Sequence, residues 1–510
     1  MPTLSLTNKL DASKTCQQCQ PDHFCAEHRI RVAALCDSPS VITGFGNVAR
    51  EVLTTLHQTG RYTIDIVGIN YDGSFHSLPF RIKPAVNALI PDASYREVYG
   101  RQVFLDMVSD GGYDLIWVLQ DTFIVEALGQ KLVELNDMLP PDQKFRFIHY
   151  FPIDATPKKS WIDGAVLTAH HPVAYTKYGY DEVLKLYHVG EDTKLTEEEQ
   201  ERNRADYQRL QDKLNIIYHG VNLKDFYPME DAAMLADWRA KCWGAHQDKF
   251  VFMNVNRNQP RKDLFRTLQA FKILLDRRRA KGKDDVYLYL HCNIFDTDLN
   301  LIEMSQQIQL TQGEEWAFPD PKVFQASRGY PMQVLNQLYA AADAVVTTTL
   351  GEGWGLSITE AMATKRLIIA PDNTSIPEIL GKTGNGGAER GLLYASGKEW
   401  FVQHQDNSRA RPLADIASLV NAMEWAVEHR EDKRLIEERA YEWVKTLAWD
   451  GELIGGKWKA LFEAAYEGVV IDRAVSVDAE LAKELKASKI DRNEQCPICK
   501  VKFKKCRHGQ

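Results

Sequence analysis

The sequence predicts an α/β chain with two doubly wound, parallel-sheet domains. Three observations predict it. Short apolar runs alternate with segments whose apolar residues recur at helical spacing. That alternation implies parallel strands covered by helices on both faces. The series occurs twice, with a break near Lys224–Met229, and each half has a glycine-rich turn.

In the first series, IRVAALC (30–36) is a continuous apolar run, read as a buried strand. Val48, Val52, Leu53 and Leu56 then fall on one helical face. YTIDIVGIN (62–70) and DLIWVL (114–119) are the next strands. A helix carrying Val125, Leu128, Leu132 and Leu135 follows. FRFIHYF (145–151), AVLTA (165–169) and NIIYH (215–219) continue the strands. Charge dominates residues 190–213, which read as a solvated surface helix. The second series has strands at KFVFMNV (249–255), VYLYLHC (286–292), AVVTTT (344–349) and RLIIA (366–370). Leu264, Leu268, Phe271 and Leu275 mark a helix ending in the basic run Arg277–Arg279. Residues 414–468 read as helical, and 471–495 as a polar tail or linker.

Composition agrees with two or more folded domains. The 510 residues carry 62 Lys+Arg against 70 Asp+Glu, a net charge of −8, with 44% hydrophobic residues. This excludes disordered, collagen-like and coiled-coil classes. The mild acidity argues against a nucleic-acid binder that uses its whole surface. No stretch approaches the roughly 18 apolar residues of a membrane span. The start, MPTLSLTNKLDASK, lacks a basic region followed by an apolar run. The expected location is the cytoplasm.

Six of the nine cysteines lie near the two ends. Cys16, Cys19, Cys25 and His28 form one group; Cys496, Cys499, Cys506 and His508 form the other. Each supplies three thiolates and an imidazole, a closed tetrahedral set for structural zinc. The second group is also basic, with Lys500, Lys502, Lys504, Lys505 and Arg507. Such a knuckle suits phosphate backbones, which makes DNA a candidate partner.

The densest motif is TTTLGEGWGLSITEAMATKRLIIAP (347–371). A strand ends, Gly351, Gly353 and Gly355 make a turn that lets a ligand approach the backbone, and a helix starts near Ser357. Free N–H groups at that helix start suit an anionic or hydroxyl-rich ligand. Glu352 sits on the turn beside Trp354, read as exposed, and Glu360 in the first helical turn. Ser357-x-x-Glu360 also fits a capping box.

This segment resembles the family 4 retaining glycosyltransferases of the GT-B fold, whose pattern is E-x7-E within EGFGL…EAMA. Lys365-Arg366 replace the usual Gly-Pro. NVNRNQPRKDLFRTLQAF (254–271) is similar to the family's Arg-x4-Lys element, with Arg257 and Lys262. YHGVNLKDFYP (218–228) is similar to its H-G-V-D interdomain segment, with Asn222 for Asp. LYAAADAVV (338–346) and SIPEIL (375–380) match further landmarks. The resemblance covers roughly residues 30–470.

It implies two Rossmann-like domains facing a cleft: 30–223 for the acceptor, 224–440 for a nucleotide-sugar donor, and helices 441–470 crossing back. Segments 1–29 and 471–510 are the zinc-like additions. It implies hexosyl or pentosyl transfer with retention, with no catalytic metal. Arg257 and Lys262 would hold the diphosphate, and Glu360 the ribose. Glu352, Gly353, Trp354, Gly355, Leu356 and Ser357 would hold the donor sugar and phosphates, Glu352 acting in catalysis. DSPSVITGFGNVAR (37–50) is similar to the family's first loop, with Gly44 and Gly46 toward the donor. FIHYFPIDATPKKSW (147–161) offers His149 and Asp154 as candidates for catalysis beside the acceptor, and His170 and His171 are weaker ones.

Other readings compete. Transfer to hydroxymethylated bases in DNA would use the basic zinc terminus. A non-catalytic zinc protein that binds nucleic acid is a reading of another class. Gly44-Phe-Gly46-x-x-Ala49 with Asp65 fits a dinucleotide fingerprint, but seven residues separate its first glycine from the strand. Asp296-Thr-Asp298 fits a metal-binding D-x-D.

Overall fold

The computed structural model describes residues 29–475 apart from 88, 91, 191–193, 325–328, 403–405 and 450–452. Both Cys3His groups lie outside the described residues. The first seven strands are β1 (Ile30–Asp37), β2 (Tyr62–Ile69), β3 (Arg81–Pro84), β4 (Leu115–Leu119), β5 (Arg146–Phe151), β6 (His171–Ala174) and β7 (Asn215–Ile216). They form one parallel sheet in the order β3-β2-β1-β4-β5-β6-β7. The next six are β8 (Phe250–Val255), β9 (Val286–His291), β10 (Trp316–Ala317), β11 (Ala344–Val346), β12 (Leu367–Pro371) and β13 (Leu392–Tyr394). They form a second parallel sheet, β10-β9-β8-β11-β12-β13. An antiparallel hairpin follows, β14 (Ser396–Val402) with β15 (Ala410–Ala414).

These are two Rossmann-like α/β units. In each sheet the strand order reverses once, between β1 and β4 and between β8 and β11. Open α/β sheets bind ligands beyond the strand carboxyl ends at such switch points. The strands are almost continuously buried because helices cover both sheet faces. One apolar cluster runs across both units, from Val48 and Trp117 to Met253, Met362 and Trp458.

Helix Ile454–Val475 packs on the first sheet although it ends the chain's second half. Trp458 is fully buried between Trp117 and Tyr150, with ring centroids at 6.1 and 4.6 Å. Glu463 accepts from Arg61 Nε at 2.8 Å and from the Tyr62 hydroxyl at 2.6 Å.

Three local expectations are corrected. AVLTA (165–169) is no strand: helix Lys159–Ala165 ends there, and β6 starts at His171. Gly164 sits so close to the Glu126 carbonyl that helix Lys159–Ala165 packs tightly on helix Thr122–Met138. A short apolar run does not by itself distinguish buried helix from strand. Trp354 is buried, with 3% exposure, against Tyr218 and His219. Ser357-x-x-Glu360 forms no capping box: helix Leu356–Ala363 starts from Gly355, which has φ 94°, and no side chain caps it.

Candidate active site

The β11 motif leaves the sheet and turns directly against the first domain. A Cβ on Gly351 would lie 2.2 Å from the Asp154 carbonyl oxygen, and one on Gly353 2.5 Å from Pro152 Cβ. Close approach of protein backbone requires these two glycines, in place of the ligand approach expected of them. Gly44 of the first domain faces Leu356, 3.4 Å away from where its Cβ would stand. Gly46 donates its amide to Thr43 Oγ1, the N-cap of helix Gly44–His57.

The wall from the second domain is cationic. Lys262 Nζ is paired with Glu352 Oε1, and Arg261 donates to the Gly351 carbonyl. Arg261 also lies 3.7 Å from Glu352 and 3.4 Å from Asp154 across the cleft. Burial raises the Glu352 carboxyl, but Lys262 and Arg261 outweigh it and hold it below its usual value. The Glu352 amide donates to Thr374 Oγ1, and its carbonyl accepts from Ser375, so the turn is fixed at both ends. Arg257 grips Asp296 with two bonds of 2.8 and 2.7 Å, while its side chain stays 64% exposed. Asp296 of the D-x-D therefore serves as an ion-pair partner of Arg257.

Opposite stand carboxylates at strand ends. Asp37, at the end of β1, accepts from Thr43 Oγ1 at 2.6 Å. Asp121 follows β4; burial, then the neighbouring Asp154 charge, raise it to about 7. Asp154 follows β5 and meets Arg411 from β15 at 3.3 Å. Arg411, Asp37 and Asp121 were not singled out from the sequence, because only the fold brings them to the cleft; Arg261 was visible there only as a neighbour of Lys262 in a basic turn.

Glu360 faces a narrow part of the cleft, about 50 Å³, lined also by Asn47, Glu51, Asn222 and Leu356. Tyr339 donates to it at 2.8 Å. Burial raises its carboxyl to about 7, and the Tyr339 bond opposes this. Asn222 donates to Glu51 Oε1 at 3.1 Å, linking the interdomain segment to the first helix.

His149 does not reach this cleft. It is fully buried, with Nδ1 3.2 Å from the Ala165 carbonyl and Nε2 3.1 Å from the Gln120 carbonyl. Burial lowers it to about 4, so the ring is neutral and braces the loop that carries Asp121. His170 and His171 lie at the other end of the sheet, before and at the start of β6. Asp65 lies within β2 and accepts from the Tyr113 hydroxyl at 2.9 Å. Among the described residues there is no group of three or more His, Cys, Asp or Glu placed to hold a metal, and no helix long and apolar enough to cross a membrane.

Comparison with known proteins agrees with this architecture. A family described as glycosyl transferases group 1 matches residues 322–404, which include the β11 motif. No curated protein matches the chain. Among solved structures, the chain is similar to sucrose-phosphate synthase from Thermosynechococcus elongatus, with a TM-score of 0.61 and 17% identity. That match covers 86% of this chain and 100% of the other. It is also similar to Anabaena HepE in complex with UDP-glucose, with a TM-score of 0.58, 14% identity, and coverage of 86% and 100%. For alpha,alpha-trehalose 6-phosphate synthase from Burkholderia multivorans the TM-score is 0.53 at 13% identity, covering 86% and 98%. At these identities the likeness establishes the fold, the two-domain GT-B arrangement.

Proposed function

We propose that this chain is a retaining glycosyltransferase, of the family 4 type, that takes a nucleotide-sugar donor in the cleft. One observation carries the reading: Glu352 and Glu360 flank a single turn-and-helix unit, with Lys262 and Arg261 locked onto Glu352, at the carboxyl edge of the second sheet. The group 1 match over the same motif supports it. So does the UDP-glucose held by a neighbour of this fold.

Arg257 and Lys262 would take the diphosphate. Both are now matched by carboxylates, so the donor competes with Asp296 and Glu352 for them. Glu360 would accept from ribose hydroxyls, and Glu352 with the Gly353–Ser357 backbone would hold the sugar. Preorganised cations and N–H groups stabilise the charge that develops on the leaving phosphate. The acceptor hydroxyl would attack the anomeric carbon from the side on which the phosphate leaves. The C–O bond to phosphate breaks, the new glycosidic bond forms, and the hydroxyl proton passes to the departing phosphate oxygen. Configuration is retained without a sugar–enzyme bond. Asp154 and Asp121 would hold acceptor hydroxyls from the first domain, residues 30–223. Closure of the two domains around the donor would exclude water and limit donor hydrolysis.

The test is a donor screen with UDP-, GDP- and ADP-sugars, measuring donor hydrolysis and protection against unfolding. One donor class is expected to do both. A Glu360→Ala variant that binds and turns over that donor normally would contradict the assignment. A glycosyl adduct trapped on Glu352 or Asp154 would contradict the one-step mechanism.

A further inference from the structure

We infer that the first domain carries a second anion site, at the end of its sheet away from the cleft, that takes a phosphate-class oxyanion. A cavity of about 310 Å³ opens there, lined by Arg146, His170, Arg209 and Lys213, with Val133 on its wall. Arg146 is the first residue of β5, and the opposite end of that strand leads to Asp154. The cavity and the cleft are thus roughly 20 Å apart, at about 3.3 Å per strand residue.

Its donors are fixed. His170 Nδ1 accepts from the Phe147 amide at 3.0 Å, which places the ring proton on Nε2. Burial first, with Arg146, His171 and Lys213 adding to it, lowers His170 to about 3, so that tautomer is neutral and stable. Lys213 Nζ donates to the carbonyls of Leu167 at 2.7 Å and Ala169 at 2.6 Å. In its ammonium form, which a bound anion favours, Lys213 has a third N–H beyond these two bonds. Burial and Arg209 lower Lys213 to about 7, against a weaker opposite pull from Asp206. Arg209 donates to the Leu167 carbonyl at 3.4 Å and meets Asp206 at 3.8 Å, and its side chain is 62% exposed. Among the described residues, Asp137 is the one carboxylate on the cavity lining, and it is exposed.

Lys213 and Arg209 repel each other in this partly desolvated cavity, and an anion between them removes that cost. A guanidinium fork, a point charge and a directed N–H suit a tetrahedral oxyanion with several acceptor oxygens. The cavity exceeds what one phosphate fills, which favours a phosphorylated sugar over the free ion.

The experiment titrates full-length protein with inorganic phosphate, then with a hexose phosphate, by calorimetry at constant ionic strength. Lys262→Ala serves as background, so that the cleft does not contribute. Saturable binding is expected, tighter for the hexose phosphate, and weakened at least tenfold by adding Arg209→Glu. Equal affinity of the two ligands would name free phosphate as the occupant and overturn the preference for the sugar. In the wild type, phosphate is expected to protect Lys213, but not exposed Lys283, from amine acylation read by mass spectrometry. Absence of saturable binding, binding indifferent to Arg209→Glu, or an unprotected Lys213 would each overturn the site.

Discussion

Glu360 is the residue whose environment says most about its state. Its carboxyl rises from 4.5 to about 7 because burial disfavours its charge. An acid raised in this way binds its proton more tightly folded than unfolded. The folded state therefore loses stability as pH rises from near 4.5 through about 7, by roughly 3 kcal/mol for a shift of this size. Glu360→Gln removes the titration. Urea unfolding at pH 5 and pH 8 is expected to show the variant gaining on the wild type at the higher pH by that amount. An unchanged difference would show that Glu360 is not held in this way. Gly351 makes a second residue-scale case, with the Asp154 carbonyl 2.2 Å from where its Cβ would stand. Gly351→Ala is expected to cost about 1–3 kcal/mol and to lower transfer more than it lowers folding. Equal losses in both would contradict a role in domain contact. At this scale the motif residues were legible, because Glu352, Gly353 and Glu360 are close in sequence. Arg261–Asp154 and Arg411–Asp154 were not, since these pairs join distant strand ends. The burial of Trp354 was hidden too, because Tyr218 and His219 reach it from the interdomain segment.

The elements most exposed to test are the hairpin and the last helix. The β14–β15 hairpin sends Arg411 to the Asp154 carbonyl at 2.8 Å, and Arg409 to the Thr156 carbonyl at 3.2 Å. It therefore bridges the domains at the cleft rim. Arg411→Met leaves half-buried Asp406 without its partner and is expected to cost about 1–3 kcal/mol. Small-angle scattering is expected to show a more open molecule, and an unchanged radius would refute the bridging role. Sequence reading missed the hairpin because β14 is mostly exposed and lacks the apolar run that marks a buried strand. The continuous runs of β1, β4, β8 and β9 were legible for the opposite reason: both sheet faces are covered. Sequence pattern also placed β11 and its turn, but put a strand at 165–169, where helix packing claims the apolar residues.

At the scale of the whole molecule, the two sheets meet along their carboxyl edges. Carboxylates at the ends of β1, β4 and β5 face cations that follow β8 or stand in β15. The crossing helix holds this arrangement through Trp458. Trp458→Ala is expected to cost about 3–5 kcal/mol, because a fully buried ring leaves a cavity between the last helix and the first sheet. Heating followed by two probes, one in each domain, is expected to reveal separate transitions in that variant and one in the wild type. A single transition in both would contradict the joining role. The pairing of the two units was foreseeable from the doubled strand–helix series. The charge complementarity across the cleft was not, because it arises only when two sheets face each other. The proposed donor site uses the cationic side of that cleft for the diphosphate. Its most direct test is calorimetric titration of wild type and Lys262→Ala with UDP, GDP and ADP. One nucleoside diphosphate is expected to bind the wild type, and to bind Lys262→Ala at least tenfold more weakly. Failure of all three to bind, or equal affinity for the variant, would contradict the cleft as a nucleotide-sugar site.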